Sequence, residues 1–102
     1  MSAPTENMPA DVREVHLALL KNAAEHWSED PSFANEAVYT RMETEDGQEI
    51  WFVSCNFEGF GPSMLRYPDG AWKYRDGWDG RDTAMKGGHA EALACASIYF
   101  TG

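Results

Sequence analysis

The chain has 102 residues, of which 43% are apolar, 13% aromatic and 25% charged, the makeup of one folded domain around a single core and not of a disordered chain. Seventeen acids against eight Lys and Arg leave a net charge of −9, a field that repels phosphate and argues against direct nucleic-acid binding. No apolar run approaches the roughly 20 residues of a membrane span, and residues 1–9 lack the basic-then-apolar pattern of a secretory signal, so a cytoplasmic protein is expected.

Residues 1–8 are polar, contain Pro4 and show no periodicity, which predicts a loose tail before one α+β domain over 9–102. Asp11 with Glu14 three residues later marks a helix start, and Pro31 prevents continuation beyond Asp30. At about 100° per residue, Val12, Leu19, Leu20, Ala23 and Trp27 share one face while Glu14, Lys21, Glu25 and Ser28 share the opposite one. After a turn at Phe33 to Asn35 the period becomes two. Glu36 to Thr44 and Gln48 to Phe57 read as strands of a hairpin around Glu45-Asp46-Gly47. In the second strand Trp51, Val53, Cys55 and Phe57 point one way, and Ile50, Phe52, Ser54 and Asn56 the other.

Gly59, Gly61 and Pro62 end that strand, and a second hairpin runs Ser63 to Tyr67 and Ala71 to Arg75 around Pro68-Asp69-Gly70. Beyond the glycine-rich stretch from Asp76 to Gly80, Asp82 or Thr83 is expected to cap a last helix reaching about Phe100, with Gly87-Gly88 weakening its first turns. The order αββββα with short connections predicts an antiparallel four-stranded sheet of two hairpins, flanked by an N-terminal and a C-terminal helix on one face.

The acidic charge is concentrated. From Asn22 to Glu58 there are nine acids (Glu25, Glu29, Asp30, Glu36, Glu43, Glu45, Asp46, Glu49, Glu58) and one base, Arg41, whereas from Gly59 onward five acids balance five bases. Against that field, the residue types of catalysis are sparse. His16, His26 and His89 have neither each other nor a cysteine at i, i+4, so no zinc spacing exists, and Cys55 and Cys95 form no C-x-x-C. Cys55, inside the strongest strand, reads as a core thiol. Asp76, Asp79 and Asp82 recur every third residue but lack the alternate acids and distal glutamate of an EF-hand, so turn chemistry accounts for them. Gly59-Phe60-Gly61 lacks the third glycine of a dinucleotide fingerprint. No catalytic residue, metal or cofactor is expected.

The reading that follows is a small acidic protein-binding domain, a non-enzymatic inhibitor or adaptor acting on a basic, nucleic-acid-handling partner. Glu36, Glu43, Glu45, Asp46 and Glu49 would supply the charge, with Phe60 and Trp78 as exposed aromatic anchors. Glu43 and Glu45, two apart on a strand, are spaced by roughly 6.7 Å, about twice the roughly 3.4 Å rise of DNA phosphates along one strand, so mimicry of alternate phosphates is expected, with Glu49 nearby across the hairpin. By size and charge the chain resembles the small acidic inhibitors that phages and mobile elements direct against host nucleic-acid machinery, anti-CRISPR proteins among them, a resemblance of type carried by no motif. Two other readings stand beside it. One is a small enzyme or ligand-binding domain with an aromatic-lined pocket using Cys55, His89 or His16; the other is a homo-oligomer, such as a homodimer, joined through its sheet.

Overall fold

In a computed structural model, which describes residues 8–55, 63–76 and 79–100, the elements run α1 (Ala10–His26), α2 (Phe33–Ala37), β1 (Val38–Glu45), β2 (Gln48–Cys55), β3 (Ser63–Arg66), β4 (Trp72–Arg75), β5 (Asp82–Ala84) and α3 (Gly88–Ser97). The sheet is antiparallel throughout, in the order β1-β2-β3-β4-β5. It has five strands, not the expected four.

The fifth strand arises where a helix cap was expected. Asp76 N–H donates to the Arg81 carbonyl and Gly80 N–H to the Asp76 carbonyl. That reversal sends Asp82 to Ala84 back along β4, pairing Arg75 with Asp82 and Tyr74 with the β-branched Thr83. The Gly87-Gly88 pair then marks the start of α3 and not its interior. Gly88 sits at φ 62, a conformation that side-chain-bearing residues enter at a cost, and Glu91 Oε1 accepts the Gly87 N–H at 2.9 Å.

At the other end, α1 stops at His26, short of Pro31, and residues 33–37 form the short helix α2 where a turn was expected. Asp11 lies inside the first turn of α1, where Pro9 is the N-cap: its Oδ1 accepts the Val12 N–H at 2.9 Å and its Oδ2 accepts from Arg66 Nε on β3 at 3.0 Å. Val12, Val15, Leu19 and Ala23 form the buried stripe of the helix. With Ala92 and Ala96 of α3 they pack on Val38, Val53, Met64 and Trp72, so both helices lie on one face of the sheet. Met8, placed by its sequence in the tail, is also buried in this core. Asn22 is buried in α1 and its Oδ1 accepts the Phe100 N–H at 2.8 Å, which pins the turn that follows α3 to the first helix.

The hairpin between β1 and β2 closes through Asp46 (φ 50) and Gly47 (φ 79), the two positive φ angles of a type I′ turn. The other face of the sheet holds a second, smaller core of Ile50, Phe52 and Leu65, none more than 3% exposed, with Tyr67 against it. No helix in the described residues covers it; curvature does. On a flat sheet Glu45 would lie six residues along and three strands across from Arg75, a separation of about 25 Å. Yet Glu45 and Arg75 are hydrogen bonded at 3.0 and 3.1 Å. The β1–β2 hairpin therefore coils over this face, as twisted strands do, and brings its tip to β4 and β5.

Candidate functional site

The register decides which of the acidic residues stand together. Glu43 opposes Ile50, Thr44 opposes Glu49 and Glu45 opposes Gln48. Opposed residues share a face, so Glu43 and Glu45 lie on the concave face with Ile50 and Phe52, while Glu49 lies on the other with Met42 and Trp51. The three carboxylates do not form one row. Glu36 is exposed on α2 and Asp46 is exposed at the hairpin turn. Phe60 and Trp78 lie outside the described residues.

On the concave face the carboxylates are compensated. Glu43 accepts from Arg41 Nε. Glu45 accepts from both terminal nitrogens of Arg75, whose Nε and Nη2 also bond Asp82 at 2.7 and 3.0 Å. The hydrogen bonds from Arg75 hold the carboxyls of Glu45 and Asp82 below their ordinary values. The guanidiniums of Arg41 and Arg75 stand 4.8 and 5.4 Å from the Phe52 ring centroid, and Lys73 stands 4.7 Å from that of Tyr67. This face is an apolar cluster under a charge-neutral lid. Sequence reasoning missed Arg75 as the partner shared by Glu45 and Asp82, because nothing local signals the contact between Glu45 and a residue 30 positions away.

The helix side of the same hairpin differs. Where β1 and β2 extend past α1, an open groove of about 600 Å³ is lined by Met42, Glu49, Trp51, Arg66 and Pro68. Met42 is 41% exposed and Trp51 half-buried. Arg66 is engaged by Asp11, whereas Glu49, Asp46 and Glu36 have no ion pair among the described residues. An apolar floor beside an uncompensated carboxylate, in the most acidic segment of the chain, is the feature best suited to hold another molecule. No protein-family model, no curated protein and no solved structure matches this chain.

The histidines and cysteines of the enzymatic reading sit in different surroundings. His16 Nδ1 lies 2.8 Å from Thr40 Oγ1 at the α1–β1 contact, where burial lowers its pKa. His26 stacks on Phe100 at 4.7 Å, and His89 Nε2 is 3.7 Å from Glu14. Cys55 is buried, and burial pushes the half-buried Cys95 thiol up, away from the thiolate. Asp79 accepts the Arg81 N–H within its turn, and Asp82 is tied to Arg75. Among the described residues no three His, Cys, Asp or Glu side chains converge as a metal site, and no helix is long and apolar enough to cross a membrane.

Proposed function

We propose that this chain is a non-enzymatic protein-binding domain, an inhibitor or adaptor that offers an acidic surface to a basic partner of the kind that handles nucleic acid. The Met42–Trp51 groove carries this reading: an exposed apolar floor beside Glu49, within a segment whose one base, Arg41, is already engaged by Glu43. Field and floor have separate roles. The uncompensated carboxylates of Glu36, Asp46 and Glu49 steer a cationic surface toward the hairpin, a long-range effect that salt screens. Contact with Met42 and Trp51 then supplies the desolvated centre that interfaces need, with Glu49 accepting from a lysine or arginine at its edge.

The test uses the full chain as bait in an extract, with captured proteins identified by mass spectrometry at low and high salt. Basic nucleic-acid-handling proteins are expected, released as salt rises, and lost to a bait carrying Glu36→Lys, Asp46→Lys and Glu49→Lys. Capture of the same proteins by that reversed bait would refute the proposal. A Trp51→Ala bait separates the two contributions: it should retain the salt dependence of capture while dissociating faster.

A further inference from the structure

The long outer strand β1 pairs with β2 on one side, and no strand among the described residues pairs with its other edge. An open edge is a template for another strand unless proline, a bulge or inward charge blunts it. β1 contains no proline, keeps an unbroken register with β2 over eight residues, has its concave-face charges neutralised (Arg41 with Glu43, Glu45 with Arg75), and leaves Tyr39 and Met42 50% and 41% exposed. We propose that this edge pairs with the same strand of a second copy, antiparallel about a two-fold axis through Met42.

The sequence of β1 selects that register. Opposed residues in an antiparallel pair share a face, so a symmetric pairing that keeps both helical layers on one side must place a residue on the axis. An axis at Arg41 sets two guanidiniums against each other, an axis at Glu43 sets two carboxylates together, and an axis at Thr44 sets Glu43 against Glu45. An axis at Thr40 pairs only residues 38–42 and leaves Glu43, Thr44 and Glu45 outside the overlap. At Met42 these conflicts vanish. Residues 39–45 of the two copies overlap, Arg41 opposes Glu43 twice, Thr40 opposes Thr44, Tyr39 opposes Glu45, and the exposed methionines meet. Arg41 and Glu43 already attract each other within one chain, so dimerisation exchanges one partner for its equivalent across the axis. The product is a continuous ten-stranded sheet, and because Met42 also lines the groove, the grooves of the two copies adjoin at the axis.

This inference is independent of the partner proposed above, and salt separates them. Two chains of charge −9 repel at long range, so screening should hold or tighten the dimer while it weakens capture of a basic protein. Sedimentation equilibrium of the full chain at about 10–100 μM should give the mass of two chains. Arg41→Glu and Glu43→Arg should each weaken the dimer about tenfold or more by creating two like-charge cross-strand pairs, and the double variant should restore it, with circular dichroism confirming the fold of each. As a second measure, Met42→Cys should oxidise to a disulfide-linked dimer while Thr44→Cys does not, since residue 44 faces Thr40 of the partner copy. A monomer throughout that range, single reversals that sediment like the native chain, or equal cross-linking at positions 42 and 44 would overturn it.

Discussion

Replacing Arg75 with Gln removes one side chain that holds the hairpin tip against the far strands. Arg75 bonds Glu45 at 3.0 and 3.1 Å and Asp82 at 2.7 and 3.0 Å, with side-chain exposures of 27%, 36% and 26% for Arg75, Glu45 and Asp82. Water reaches all three groups, so each pair contributes about 0.2–1 kcal/mol, the shared network lying toward the upper end. Contact with the Phe52 ring adds about 0.5–1 kcal/mol. The loss should be about 1–3 kcal/mol, lowering Tm by roughly 4–12 °C at about 4 °C per kcal/mol. The pH dependence identifies the cause. Glu45 and Asp82 have folded pKa values below the unfolded ones, so their stabilisation is complete above the ordinary carboxylate values of about 4 and is lost as pH falls through the folded values. Thermal melts followed by circular dichroism should therefore show a gap between native chain and R75Q that is full at neutral pH and shrinks in acid. Hydrogen exchange should show lost protection centred on the β1–β2 hairpin and β5, the two segments that Arg75 joins. A gap of the same size at about pH 7 and about pH 2 would refute an electrostatic clamp and leave packing as the cause.

The His16 imidazole should titrate below 6.5 by NMR because burial lowers its pKa. Its contribution to stability is whole above 6.5 and declines as pH falls toward the folded value, since the unfolded chain takes up the proton first; a midpoint at or above 6.5 would contradict the buried placement. Gly88→Ala meets no atom within 4 Å of its new Cβ, yet it sits at φ 62, so its cost of about 1–2 kcal/mol is conformational. Denaturant unfolding should show this loss with an unchanged m-value, and an unaffected midpoint would mean that α3 begins elsewhere.

Strand positions whose two faces are set by strict alternation were legible before the fold was known. The alternation of β2 placed Val53 and Cys55 opposite Ile50 and Phe52, and the proline and glycine of residues 68–70 placed the second hairpin. The alanines at 92 and 96 keep the helical spacing that packs α3 on α1. Local signals failed where a long-range contact outweighed them. Asp82 resembles a helix cap in isolation, but Arg75 across the turn gives its carboxylate a better partner and β4 gives its backbone a ladder. Asp11 resembles a cap in the same way, and its carboxylate is shared between the Val12 N–H and Arg66. Of the expected site, the exposed acids of α2 and the hairpin were legible as residues. Their division between two faces was not, because it depends on a register that pairs Glu49 with Thr44.

That division changes what each carboxylate can do. Folding itself occupies Glu43, Glu45, Asp82 and Asp11 with Arg41, Arg75 and Arg66, so the pair whose spacing suggests phosphates lies on a face where the counter-charges are already present. A cationic partner there would have to displace guanidiniums that also shield Phe52. On the groove face no such displacement is needed: Glu49 meets a partner directly, beside Met42 and Trp51. Reversing Glu45 should therefore act mainly on stability, reversing Glu43 on pairing between copies, and reversing Glu49 on partner binding, three outcomes that net charge alone would make identical.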